Sequence, residues 1–131
     1  MIDRFLKKYL FFCCANCLFS LLIGIFFYIV GRTEFLSILG TVVNDFLLTA
    51  SFYVPDALWA YALYFALSLF QNSFIATILT IGAGILWEVL QKTNLVNGTF
   101  DFFDIILYLI ATLVAVIINK LWRKKYEKNN S

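Results

Sequence analysis

The sequence has 131 residues, of which 63% are hydrophobic and 14% are charged. Soluble domains average about 45–50% apolar and about 25% charged residues, so the composition excludes an ordinary soluble fold and predicts a single all-α membrane domain over 1–131. The net charge is only +2 and histidine is absent. Carboxylates must therefore supply any acid–base or metal chemistry, and their oxygens favour a hard divalent cation such as Mg²⁺ or Ca²⁺.

Four apolar runs predict transmembrane helices over residues 9–30, 54–70, 74–91 and 102–122. The first run is longer than the apolar core of a usual signal peptide, and no A-x-A cleavage pattern follows it, so we expect a retained helix. It contains Cys13, Cys14 and Cys17. The C-x-x-C spacing at 14–17 also occurs in redox and half-zinc sites. No second pair exists, however, so packing of small apolar side chains is favoured.

Residues 33–51 differ from these runs because they carry a polar face. The apolar stripe comprises Phe35, Leu36, Leu39, Val42, Val43, Phe46 and Leu47, and the opposite face comprises Ser37, Thr41, Asn44 and Asp45. This helical periodicity predicts a separate amphipathic helix, lying on the membrane interface or packed across the mouth of the bundle. A tilted membrane span is the weaker alternative.

Local signals set the expected helix ends. Proline at a first helical position with an acid beside it is a start signal, so Pro55 and Asp56 are predicted to open the second span. Residues 71–73 are predicted to form a tight turn. Asp101 is well placed to cap the last helix. The polar segment 123–131 is expected to fray.

Basic residues cluster at the two ends of the chain. Eight of the ten lie there: Arg4, Lys7, Lys8, Lys120, Arg123, Lys124, Lys125 and Lys128. Four spans put both ends on one side, and the positive-inside rule makes that side the cytoplasm. The predicted location is a plasma membrane, with the loop at 91–100 outside.

Five polar side chains are expected to meet at the outer end of the bundle: Asp56, Glu88, Gln91, Asp101 and Asp104. Glu88 is the most informative, because a carboxylate inside an apolar run is costly and a helix C-terminus disfavours negative charge. Asp56, Asp101 and Asp104 also have structural explanations as helix-start acids or caps. Glu88 could instead pair with Lys92. If a cation binds here, Glu88, Asp101 and Asp104 are the candidate ligands.

The same residues resemble a known family. Glu88-x-x-Gln91 at the end of one span, a polar loop and an Asp that opens the next span are similar to the VanZ-like membrane proteins. The resemblance covers about residues 52–118 and includes Pro55-Asp56 and the GTFD loop that ends at Asp101. It implies a small helical protein of the bacterial cell envelope, in a group linked to low-level teicoplanin resistance. It also implies that Asp56, Glu88, Gln91 and Asp104 are the polar motif residues.

Three functions remain open from the sequence. The first is a non-enzymatic envelope protein that binds a lipid headgroup, a cell-wall precursor or another membrane protein through the acidic site. The second is a metal-assisted enzyme acting on a lipid-linked substrate at the outer leaflet. The third, a proton-coupled transporter, is least favoured because repeats and broken helices are missing. Without a nucleophile–base pair we favour binding, with the bilayer as partner and no nucleic acid.

Overall fold

The computed structural model describes residues 2–32 and 41–130. The described part of the chain contains four α-helices: α1 (Ile2–Arg32), α2 (Thr41–Leu67), α3 (Ser73–Lys92) and α4 (Phe102–Asn130). Each is long and apolar enough to cross a membrane. The predicted all-α membrane fold is therefore confirmed.

Helix α2 is the centre of the bundle. It packs against α1, α3 and α4, and α3 also packs against α4. The turn between α2 and α3 is short, and Asn72 at its end caps α3: its Oδ1 accepts from the backbone N–H of Ile75 at 2.9 Å. Four helices joined in this order place the start of α1 and the end of α4 at the same end of the bundle.

Two glycines let α1 and α2 approach closely. Gly24 and Gly31 are seven residues apart, so they lie on one face of α1. A methyl group at Gly31 would overlap the side chain of Ser51, and one at Gly24 would lie 3.8 Å from Pro55 Cα. Small residues at such contacts are typical of membrane helices.

The start of the second span was predicted wrongly. Pro55 and Asp56 lie well inside α2, and residues 41–51 are its first turns rather than a separate interfacial helix. Residues 33–40 of that predicted helix lie outside the described residues. Apolar surroundings explain the continuity, because a broken helix would expose unpaired backbone groups, whereas a proline inside a membrane helix can be tolerated when neighbouring helices pack around it.

The end of the chain was also predicted wrongly, since α4 continues to Asn130 instead of fraying after residue 122. Aromatic and cationic contacts with α1 hold this last part. The rings of Phe5 and Tyr126 lie 5.0 Å apart, and Arg123 Nη2 donates to Tyr9 Oη at 2.8 Å. The start of α1 and the end of α4 therefore support each other.

Candidate functional site

Glu88 lies on the buried face of α3. That face repeats every four residues, as Ala76, Thr80, Gly84 and Glu88. Small side chains on the first three bring α4 close to α3. Glu88 is only 1% exposed. Its carboxylate therefore faces the bundle interior and avoids the cost of a charge exposed to lipid.

The Glu88 carboxylate is held by two donors. Its Oε2 accepts from the backbone N–H of Asp101 at 3.1 Å, and its Oε1 accepts from Tyr108 Oη at 3.2 Å. The alternative partner Lys92 lies instead over the ring of Phe100, with its Nζ 5.2 Å from the ring centroid. A buried carboxylate requires hydrogen-bond donors, and here the start of α4 provides them.

Asp101 caps α4, as the sequence predicts. Its Oδ1 accepts from the backbone N–H of Phe103 at 2.9 Å, and its Oδ2 accepts from Tyr53 Oη at 3.4 Å. The same residue thus ends the loop, starts α4, and contacts both α2 and α3. Its structural role is established, and it also fixes the position of Glu88.

Gln91 braces the loop between α3 and α4. With its amide oriented to satisfy both neighbours, it accepts from Trp87 Nε1 at 3.0 Å and donates to the carbonyl of Thr99 at 3.1 Å. Gly98 has φ of +147°, and a Cβ there would come within 2.6 Å of the Gln91 amide. Glycine at 98 is therefore needed both for the backbone conformation and for the close contact.

Asp56 and Asp104 complete the acidic group. Asp56 comes from the middle of α2, and Asp104 from the first turn of α4. Asp104 lies within electrostatic reach of Asp56, Glu88 and Asp101. Its Oδ1 is buried without a hydrogen-bond partner among the described residues. The structure thus brings all five predicted site residues to one end of the bundle.

A cavity of about 340 Å³ lies at this end. Its lining comes from all four helices: Ser20, Leu21, Gly24, Ile25, Tyr28, Pro55, Asp56, Trp59, Trp87 and Tyr108. Within the described part of the chain, Asp56 is the single charged residue of this lining. A second cavity of about 200 Å³ shares Tyr28, Pro55 and Asp56 with the first. This main volume lies within the range of about 300–1,000 Å³ that is typical of small-molecule sites.

The sequence did not indicate the aromatic part of the site. Trp59 and Trp87 fit the interfacial anchors expected of tryptophans in membrane proteins, yet both line the cavity. Tyr108 lines the same cavity, and the centroid of its ring lies 6.4 Å from that of Trp59. One signal was available for Tyr108. It follows Asp104 by four residues, which places it on the same face of α4.

The geometry of the acids also bears on metal binding. Across residues 2–32 and 41–130, no group of three or more His, Cys, Asp or Glu side chains is arranged to hold a metal ion. Glu88, Asp101 and Asp104 therefore do not form such a group. What joins Glu88 to Asp101 is a backbone N–H, which is a donor and not a metal ligand.

No protein-family model, curated protein or solved structure matches this chain. What the site can bind must therefore be inferred from its geometry and charge. A mostly apolar, aromatic cavity with one carboxylate on its wall can accept an apolar group that carries a hydrogen-bond donor or a positive charge.

Proposed function

We propose that this chain is a bacterial cell-envelope membrane protein of the VanZ-like kind, and that its cavity binds the polar headgroup of an amphiphile. The observation that carries the proposal is the cavity of about 340 Å³ with Asp56 as its charged wall residue. Tyr108 links this wall to the buried carboxylate of Glu88 through its hydroxyl group. Binding without assigned catalysis is the function this arrangement supports best.

The charge of the site selects the class of ligand. Asp56, Glu88 and Asp104 lie within electrostatic reach of one another, and carboxylates this close repel each other when they are ionised. A cationic amine would relieve that repulsion and donate hydrogen bonds to Asp56. Amine-bearing headgroups occur on phospholipids and on lipid-linked cell-wall precursors, and the apolar walls would accept the adjoining hydrocarbon. A membrane-protein partner is the competing occupant.

The proposal places the acidic end at the outer leaflet of the bacterial plasma membrane. Support comes from the opposite end, where the start of α1 and the end of α4 meet and most of the basic residues lie. Basic residues remain preferentially on the cytoplasmic side during insertion. Both termini are then cytoplasmic, and the loop at 93–101 faces outward.

The binding test uses the two tryptophans of the cavity as reporters. In a Trp122→Phe background, the remaining fluorescence comes from Trp59 and Trp87, both of which line the cavity. The protein is reconstituted in phosphatidylglycerol nanodiscs, whose headgroup carries no positive charge, and phosphatidylethanolamine is titrated in. A saturable spectral change is expected with phosphatidylethanolamine, whose primary amine can donate hydrogen bonds. Phosphatidic acid, which has no amine, should produce none in the same titration.

Asp56→Asn is the decisive variant, because it keeps the side-chain shape and removes the charge. It should abolish the response to phosphatidylethanolamine. Asp45→Asn is the matched control, since Asp45 lies on the same helix, is exposed and does not line the cavity. Equal responses from the two variants, or a response to every lipid alike, would reject headgroup binding at Asp56. Saturable binding of an undecaprenyl-linked precursor instead of phosphatidylethanolamine would identify the source of the amine.

The resemblance to VanZ-like proteins adds a cellular expectation. Expression of the chain in a susceptible Gram-positive host should raise the teicoplanin concentration needed to inhibit growth. The Asp56→Asn variant, produced at the same level in the membrane, should lose that effect. Unchanged susceptibility with the wild-type chain would remove glycopeptide resistance from the proposal and leave the binding result standing.

A further inference from the structure

A second feature lies at the opposite end of the bundle, between α1 and α4. It is a groove of about 440 Å³ lined by Lys7, Lys8, Phe11, Phe12, Ala15 and Trp122. The backbones of α1 and α4 do not pack directly over their described residues. Large rings fill the space instead, with Phe12 stacked on Trp122 at 4.8 Å. The groove is the part of this crevice that the rings leave open.

The groove is apolar along its length and basic at one end. Lys7 and Lys8 are exposed and lie nearest the end of the bundle, while Phe11 and Ala15 lie deeper along α1. From residue 7 to residue 15 the helix rises about 12 Å, at about 1.5 Å per residue. Among the described lining residues none is acidic, so no carboxylate in the wall neutralises the two lysines.

Nearby cations strengthen the field at this end without filling the groove. Lys8 Nζ lies 5.4 Å from the centroid of the Tyr126 ring, which holds the ammonium beside α4. Arg123 lies over the ring of Tyr9, with its Cζ 4.6 Å from the centroid, and donates to the Tyr9 hydroxyl. Arg123 is therefore engaged within the bundle and does not line the groove, whereas Lys7 and Lys8 both do.

We propose that this groove is a binding site for an anionic phospholipid of the leaflet that the basic end faces. The phosphate and its headgroup lie between Lys7 and Lys8, and an acyl chain lies along Phe11, Ala15 and Trp122. Charge complementarity selects the lipid class, because two lysines in a groove whose described lining contains no acid attract a net negative headgroup, and a zwitterionic one far less. The apolar walls are suited to hydrocarbon and not to a free anion.

The test compares lipid affinities of the full chain by native mass spectrometry. Wild-type protein in detergent is titrated with phosphatidylglycerol and, separately, with phosphatidylcholine. Phosphatidylglycerol should be retained selectively. The double variant Lys7→Gln/Lys8→Gln should lower its affinity by roughly 30-fold, the loss expected for two lysines near an anionic headgroup. Circular dichroism before each titration checks that the helices are intact.

Two further variants separate a groove from a general basic surface. Lys124→Gln/Lys125→Gln removes the same charge from the same end, at exposed positions that do not line the groove, and should change the affinity much less. Ala15→Phe fills the groove without a change of charge and should also prevent retention. Equal losses from both lysine pairs, undiminished binding by Ala15→Phe, or full displacement by inorganic phosphate would each overturn the proposal.

Discussion

Glu88 Oε2 accepts a hydrogen bond from the backbone N–H of Asp101, 13 residues further along the chain, at 3.1 Å. Asp101 in turn caps α4 through its own side chain, by accepting from the N–H of Phe103. In a capping box, the side chain that accepts from the backbone N–H of the N-cap residue belongs to the same helix. Here it comes from the end of α3. This arrangement fixes the loop and orients the buried carboxylate at once.

The first prediction concerns the cost of losing this carboxylate. Glu88→Ala leaves the Asp101 N–H and the Tyr108 hydroxyl without their acceptor, and it opens space in a fully packed position. We expect the free energy of unfolding to fall by about 3 kcal/mol. Glu88→Gln should be close to neutral, because removal of a buried charge offsets the loss of one acceptor. Thermal and denaturant unfolding in detergent measure both changes.

Glu127→Ala is the control for that measurement, since Glu127 is an exposed acid near the end of α4. Its stability should match the wild type within about 0.5 kcal/mol. If Glu88→Ala were as stable as this control, the two hydrogen bonds would contribute nothing to the fold.

The second prediction is that Glu88 and Tyr108 are energetically coupled. Tyr108→Phe removes the hydroxyl that donates to Glu88 at 3.2 Å and keeps the ring. A double-mutant cycle with Glu88→Ala isolates the pair, because alanine leaves no side-chain acceptor for the Tyr108 hydroxyl, and we expect a coupling free energy of about 1 kcal/mol. The cycle is measured by unfolding in detergent. Strict additivity of the two single changes would show that the bond does not stabilise the protein.

The third prediction concerns the contact between α3 and α4. A Cβ at Gly84 would lie 2.5 Å from Tyr108 Cδ2, in the ring of a buried residue. Gly84→Ala should therefore separate the helices and destabilise the protein by about 1–3 kcal/mol. Gly82, two residues earlier, has nothing within 4 Å of the equivalent position. Gly82→Ala should be neutral or stabilising by up to about 1 kcal/mol, because alanine favours a helix.

These two alanine variants have the same composition and lie on the same helix, so their difference reports the contact alone. Melting temperatures measured side by side are sufficient. A Gly84→Ala protein as stable as Gly82→Ala would mean that Tyr108 moves away at no cost.

The fourth prediction is the topology. The 93–101 loop and the end of α4 lie at opposite ends of the bundle, and the charge pattern places the latter in the cytoplasm. In a background where the three cysteines are alanine, a cysteine at Asn97 should react with an impermeant reagent added outside whole cells. A cysteine at Asn129 should react only after lysis. The reverse pattern would place the acidic site in the cytoplasm and remove the outer-leaflet ligand.

The sequence by itself determined the type of the elements and the number of helices able to cross the membrane. Long apolar runs leave no alternative to helices in hydrocarbon, where backbone groups must pair within their own segment. The same reasoning predicted α3 as 74–91, close to the observed Ser73–Lys92, and the cap at Asp101. The penalty on a charged side chain in an apolar run was enough to select Glu88 as the most informative residue of the site.

Only the tertiary structure decided where α2 begins and what surrounds the acids. A proline with an acid beside it reads locally as a helix start, yet packing of α1 around Pro55 lets the helix continue through it. The cavity depends on contacts among four helices, so residues such as Trp59 and Trp87, far apart in sequence, could not be assigned to one wall in advance. Periodicity reports which face of a helix is polar or apolar. The neighbour that each face contacts depends on packing between residues far apart in sequence, so it becomes known only from the folded bundle.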